Sequence, residues 1–158
     1  MLKIGDIAPE FSLTDQRGAP WTLRELISAG PAVVYFYPAD FTPGCTREAC
    51  LFRDKYDALA ELSVPVVGIS PQGEDSHRRF ADAFALPFPL LSDTDKKVIR
   101  AFGVDGPLGF GVRRVTFLIG ADRRIHNRVV ADFLVDSHLS LIQRVIDSPP
   151  DSPADSPP

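Results

Sequence analysis

Seven consecutive residues, Pro31-Ala32-Val33-Val34-Tyr35-Phe36-Tyr37, carry no charge and are rich in β-branched and aromatic side chains. A strand sends successive side chains to opposite faces, so a run this apolar reads as one buried on both. Such a strand needs cover above and below, and the rest of the chain must supply it.

The flanking pattern provides that cover. Phe11-Ser12-Leu13-Thr14 and Trp21-Thr22-Leu23 bracket a turn-rich Asp15-Gln16-Arg17-Gly18 and predict a hairpin. After Pro38, the stretch from Pro43 to about Leu62 sets Phe52, Tyr56, Leu59 and Ala60 at helical spacing. A second buried strand is expected over Val64 to Ser70, an amphipathic helix over Asp75 to Phe84 and another over Lys96 to Phe102. Arg114 to Ile119, a Gly120-Ala121-Asp122-Arg123 turn and Ile125 to Val130 predict an antiparallel hairpin, followed by a helix around Ser137 to Ile146. This order suggests an α/β, thioredoxin-like three-layer fold, with a central mixed sheet flanked by helices and an N-terminal hairpin. A doubly wound sheet is the alternative the pattern leaves open.

At 158 residues the chain is one domain that can bury roughly 70% of its unfolded surface, so its two cysteines are not needed as staples. The domain is expected over 1–146. From Asp147 to Pro158 three Asp-Ser-Pro tetrads form a low-complexity tail expected to be disordered, with a PxxP docking string as the minor reading. The 17 basic and 21 acidic residues interleave, which argues against nucleic acid, and no run approaches the ~20 apolar residues of a membrane span or the apolar core of a signal peptide. A cytoplasmic, reducing location is the default expectation. There a cysteine pair is more often catalytic, redox-sensing or metal-binding than structural.

The chemistry concentrates where the first buried strand runs through a loop into a helix, Pro38-Ala39-Asp40-Phe41-Thr42-Pro43-Gly44-Cys45-Thr46-Arg47-Glu48-Ala49-Cys50. Thr42 suits an N-cap and Pro43 the first helical position, which places Cys45 in the first turn beside unpaired backbone N–H groups. A free thiol of pKa ~8.5 needs roughly 3 kcal/mol to become mostly ionised near neutrality, whereas a helix N-terminus typically supplies ~0.3–1 and at most ~2 kcal/mol. A nearby cation must make up the rest, and the candidates are Arg47, Arg53, Arg113 and Arg114. Cys50 lies five residues on; along an intact helix the two Cα atoms are about 8–9 Å apart, beyond the ~7 Å limit for a disulfide. Any bond between them requires the first turn to unwind. Two inert core thiols are the bland alternative. A zinc site is weakly supported, since His77, His126 and His138 show no ligand spacing with the cysteines and are expected at or near the surface.

These residues resemble a known family. Pro38-x-x-x-Thr42-x-x-Cys45 is similar to the signature of the peroxiredoxins. The longer Thr42-Pro43-Gly44-Cys45-Thr46-x-Glu48-Ala49-Cys50-x-Phe52-Arg53-Asp54 resembles the bacterioferritin-comigratory or PrxQ branch. The likeness runs over about residues 3 to 146 and includes Pro87-Phe88-Pro89-Leu90-Leu91-Ser92-Asp93 and Arg114-Val115-Thr116-Phe117-Leu118-Ile119. It implies Cys45 as peroxidatic cysteine, Thr42 as the hydroxyl holding thiolate and peroxide, Pro38 as a shield over the pocket and Arg114 as the distant cation. Gly44 and Cys45 would offer backbone donors to the substrate, Glu48 would either orient Arg114 or sit solvated, and Cys50 would be the resolving cysteine. Arg113, Arg114's neighbour in a strand, would face away.

The implied activity is thiol peroxidase action on hydrogen peroxide and organic hydroperoxides, through a sulfenic acid and a Cys45–Cys50 disulfide recycled by thioredoxin or a similar dithiol, for antioxidant defence. No metal, haem or flavin cofactor is implied. Members of this branch are often monomers, with a weak dimer as the alternative. The competing readings are a thioredoxin-like disulfide oxidoreductase and a non-enzymatic redox-sensing module. Between Phe102 and Arg114 the chain departs from the family, lacking the tryptophan-containing loop of many relatives. Leu108 and Phe110 in this loop are expected to pack over the core rather than form an apolar lip.

Overall fold

A computed structural model describes residues 1–130 and 136–147. The N-terminal hairpin pairs β1 (Ser12–Thr14) with β2 (Pro20–Thr22), and a single turn, α1 (Leu23–Leu26), follows directly. Thr22 caps that turn reciprocally with Glu25, accepting from its N–H at 3.1 Å and donating to its carboxylate at 3.0 Å.

The main sheet holds β3 (Ala32–Phe36), β4 (Val66–Ser70), β5 (Leu90–Ser92), β6 (Val115–Ile119) and β7 (Ile125–Val130) in the order β5-β4-β3-β6-β7. β3 runs parallel to β4, and β4 to β5, while the β3–β6 and β6–β7 pairs are antiparallel. Helices α2 (Pro43–Glu61), α3 (Glu74–Phe84), α4 (Lys97–Ala101) and α5 (Asp136–Asp147) complete the fold. The mixed order is that of the thioredoxin-like layers and rules out the doubly wound alternative.

All five residues of β3 are buried, and they divide by parity. Ala32, Val34 and Phe36 join one core cluster with Leu23, Leu26, Ile99 and Phe102; Val33 and Tyr35 join the other with Cys45, Phe52, Phe80 and Leu141. Three layers follow, with α1 and α4 on one face of the sheet and α2, α3 and α5 on the other. Tyr35 lies across the β3–β4 pair from Gly68, where an added Cβ would meet its ring at 2.7 Å. Only glycine leaves space for that phenol.

Several expectations need correction. β5 and α1 were not anticipated: β5 is three residues long and set among prolines, and α1 is a single turn. Ala60 is exposed rather than part of the buried helix face. Arg113 and Arg114 both precede β6, which starts at Val115, and the Arg113 N–H bonds the Val104 carbonyl at 2.8 Å. Leu108 and Phe110 are 95% and 77% exposed, not packed over the core. Their loop closes on itself through the Gly106 N–H bond to Gly111 at 3.1 Å, and a Cβ on Gly106 would collide with the Phe110 carbonyl, so backbone fills the inside and the side chains point out. Asp147, where the expected tail begins, is the last residue of α5, and the rest of that tail, 148–158, lies outside the described part. Within the described residues no helix is long and apolar enough to cross a membrane.

Candidate active site

β3 ends at Phe36, and Tyr37 through Phe41 carry the chain to Thr42, whose extended backbone (φ −74°, ψ 148°) opens α2 with Pro43 in its first turn. The N-cap expectation holds for the backbone and fails for the side chain. Thr42 Oγ1 makes no capping bond and instead donates to the Ala39 carbonyl at 3.1 Å. The first intrahelical bond is Thr46 N–H to the Thr42 carbonyl at 2.8 Å, so helix geometry leaves the Gly44 and Cys45 N–H groups without intrahelical acceptors.

Cys45 is 1% exposed, and Cys50, on the same unbroken helix, is half-buried; both are free thiols. The guanidinium of Arg114 reaches Cys45, with Nη1 donating to Sγ at 3.3 Å. Register explains how a residue 69 positions away arrives there. β3 pairs with β6 so that Tyr35 faces Thr116 and Phe36 faces Val115; Arg114 immediately precedes β6, at the end of the pair where β3 leads on towards α2. Of the other candidate cations, Arg47 is exposed, and Arg53 is spent on the Phe84 carbonyl at 2.8 Å and on Asp54 at 3.2 Å.

Glu48 is buried, not solvated, and receives the same Arg114 Nη1 at 3.2 Å. Burial pushes its carboxyl up to about 8, against the pull of Arg114 in the other direction. Burial also opposes the charge on Arg114, but Glu48 and Cys45 outweigh it and hold the guanidinium above its ordinary value. One fixed cation is thus shared between a sulfur and a carboxyl that takes up a proton readily. Such a site keeps a donor beside the sulfur, where charge develops.

Pro38 is half-buried at the start of the turn. The histidine expectation fails at one position: His77 is 0% exposed, packed against Tyr37, Asp40 and Ser70, while His126 is on the surface and the side chain of His138 lies outside the described part. Asp40, two residues after Pro38, is also buried and was not singled out. The available signal was an acidic residue inside an otherwise apolar strand-to-helix junction. No group of three or more potential metal ligands occurs among the described residues.

Comparison with known proteins adds to this geometry. Residues 4–128 match the model of the AhpC/TSA family. The chain is 43% identical over 147 residues to peroxiredoxin Bcp of Escherichia coli, covering 89% of this chain and 93% of that one. It superposes on the crystal structure of peroxidoxin BcpB from Mycobacterium tuberculosis with a TM-score of 0.86 at 40% identity, over 93% of this chain and 97% of that one. It also resembles a bacterioferritin comigratory protein of Xanthomonas campestris, described for its alkyl peroxide reduction activity, with a TM-score of 0.76 at 28% identity, over 86% of this chain and 92% of that one.

Proposed function

The chain belongs to the AhpC/TSA family and is a thiol peroxidase of its PrxQ and bacterioferritin-comigratory branch; on that premise we propose that Cys45 is the peroxidatic cysteine and Cys50 the resolving one. The observation that carries this reading is the Arg114 Nη1 contact on the buried Cys45 sulfur at the start of α2.

In the first step the Cys45 thiolate attacks the distal peroxide oxygen, the O–O bond breaks, and the leaving oxygen takes a proton to depart as water or an alcohol. Cys45 becomes a sulfenic acid. Full ionisation of the thiol gains at most tens-fold in rate, because nucleophilicity falls with pKa. The remaining acceleration comes from donors aimed at the charge moving onto the leaving oxygen: Arg114 and the Gly44 and Cys45 N–H groups. Thr42 serves the opposite role. Its hydroxyl proton is committed to Ala39, which leaves its lone pairs to accept the peroxide O–H. Pro38 shields the mouth of the site.

In the second step the Cys50 thiol displaces hydroxide from the Cys45 sulfenic acid, giving a disulfide and water. On the intact helix that bond is out of reach, so the first turn of α2 opens between the two steps. A dithiol of the thioredoxin class then reduces the disulfide and restores both thiols. The kinship with the Xanthomonas protein supports organic hydroperoxides as substrates beside hydrogen peroxide.

Mass spectrometry of the thiol state after one equivalent of hydrogen peroxide tests this cycle. The native chain is expected to form one intramolecular disulfide, the Cys50→Ser variant to stop at a sulfenic acid, and Cys45→Ser to consume no peroxide. Full turnover by Cys45→Ser, or a sulfenic acid persisting in the native chain, would overturn the assignment. Insulin reduction without peroxide dependence would favour a disulfide oxidoreductase, and stoichiometric oxidation with negligible turnover a sensor.

A further inference from the structure

One buried polar cluster touches none of the reacting atoms. Asp40 lies between Pro38 and Thr42, the residues proposed to shield the site and to hold the peroxide. Its carboxylate receives Tyr37 Oη at 2.6 Å on Oδ1, and His77 Nδ1 at 2.7 Å and Ser76 Oγ at 2.8 Å on Oδ2. Its backbone N–H donates to the side-chain carbonyl of Gln72. The side chains of Asp40 and His77 are both fully buried. A carboxylate offers only acceptors, which assigns His77 Nδ1 as the donor; its Nε2 faces the Leu91 carbonyl at 3.2 Å and Ser70 Oγ at 3.4 Å. Burial holds the Tyr37 phenol well above its ordinary pKa, so it remains a donor.

Asp40, His77 and Ser70 stand in the order of a hydrolytic triad, yet Ser70 is 0% exposed and its Oγ accepts the Gln72 N–H at 3.2 Å. No acyl group could reach it.

The cluster instead governs the turn over 38–42. Phe41 has φ of +65°, a left-handed conformation that a non-glycine residue keeps only where its surroundings hold it. Its ring rests on Phe80 and Phe84 of α3, at centroid separations of 5.2 and 6.3 Å. The Thr42 hydroxyl takes its direction from Ala39, the residue immediately before Asp40. Gln72, Ser76 and His77 belong to the start of α3 and the loop before it, so the turn that aims Thr42 is fastened to α3 through Asp40.

We propose that Asp40 and His77 are positioning residues of the peroxidase reaction, latching the turn that carries Pro38, Phe41 and Thr42 to α3 and setting how often the start of α2 opens. The inference rests on the peroxidatic reading of Cys45. Peroxide attack needs the latched turn, with Thr42 and the helix donors in place. Disulfide formation needs the opened one. Latch strength therefore trades the first step against the second.

Hydrogen exchange and rapid-reaction kinetics on the full chain test this. In His77→Leu the Thr46 N–H, bonded to Thr42, is expected to exchange at least about tenfold faster than in wild type. In the same variant kcat/KM for hydrogen peroxide should fall about tenfold, while disulfide formation per sulfenic acid holds or quickens. His77→Asn, whose amide can still donate to Asp40, should recover most of both. Asp93→Asn, which weakens the carboxylate bonds to the Val98 and Ile99 N–H groups of α4, is the control for general destabilisation and should leave the ratio of the two steps unchanged. If His77→Leu does not fold, Ser76→Ala removes one of the three donors and should shift exchange and ratio in the same direction by about twofold to threefold. Unchanged Thr46 exchange in a folded variant, or both steps falling together as in Asp93→Asn, would overturn the latch. Absence of peroxide turnover in the wild type would overturn the peroxidatic reading instead, and the exchange result would still decide the latch.

Discussion

The two faces of the central sheet use burial for different ends. On the α1 and α4 side, Val34, Phe36, Phe102 and Phe117 form a hydrocarbon core in which Phe102 touches Phe36, Phe117 and Phe11 at centroid separations of 5.0, 5.5 and 6.3 Å. On the α2, α3 and α5 side, comparable aromatic packing encloses Cys45, Glu48, Arg114, Asp40 and His77. Low dielectric stabilises the first face through removal of apolar area from water. On the second it costs stability, since charges are desolvated, and in return makes each electrostatic contact stronger. Stability and chemistry should therefore separate by face.

The largest effect expected is on the hydrocarbon side. Phe102→Ala leaves a cavity among three rings and should lower stability by about 3–5 kcal/mol, read by denaturant titration. The kcat/KM of the molecules still folded should be unchanged. Loss of specific activity in the folded fraction would break the division.

Arg114→Met is the mirror experiment. Removing a donor from the site should cost about 3–4 kcal/mol of transition-state stabilisation, a fall of two to three powers of ten in kcat/KM for hydrogen peroxide. The fold should survive, because Glu48, pushed up to about 8 by burial, takes a proton when its partner is gone. A midpoint loss as large as that of Phe102→Ala would show that the Arg114–Glu48 pair supports the fold as well as the chemistry.

How far the sequence discloses each face depends on whether its signals are local. The apolar run into β3 and the Thr42-Pro43-Gly44-Cys45 helix start are contiguous, so strand, turn and buried thiol were legible together. Arg114 was legible because one family motif carries it and the charge on a buried thiolate calls for a cation; its Nη1 contact on the Cys45 sulfur places it there. His77 was not. Its partners Tyr37 and Asp40 lie 40 and 37 positions away, and only the parallel packing of β3 and β4 brings α3 over the turn, so no spacing rule marks it. β5 was hidden for another reason: between Pro89 and Asp93 too few residues remain to show a period. Leu108 and Phe110 show that apolar character does not by itself mean burial, since the glycine-closed loop gives them nothing to pack against.

A pH experiment sharpens the cost of the charged face. Glu48 binds its proton more tightly in the folded state than in the unfolded, so its contribution to stability is complete below its ordinary value near 4.5 and is lost as pH rises through about 8. Glu48→Gln carries no such titration. Measured against wild type, its stability should therefore gain as pH rises, by about 2 kcal/mol between roughly pH 6 and 8, where each unit is worth at most about 1.4 kcal/mol. A difference that does not change with pH over that range would mean that Arg114 keeps Glu48 ionised throughout.

The smallest effect belongs to the loop that neither face buries. Leu108 is 95% exposed at φ of +57°, so its side chain contributes no burial and its backbone sits where asparagine is tolerated better than leucine. Leu108→Asn should consequently stabilise the chain by about 0.5 kcal/mol, the one substitution among these four expected to do so in acid and at neutrality alike. Differential unfolding at two pH values checks this, since a gain from backbone conformation is independent of pH and one arising through the Arg114 site follows Glu48. A clear loss of stability would show that Leu108 is covered in solution, and would move this loop from the exposed rim into one of the packed layers.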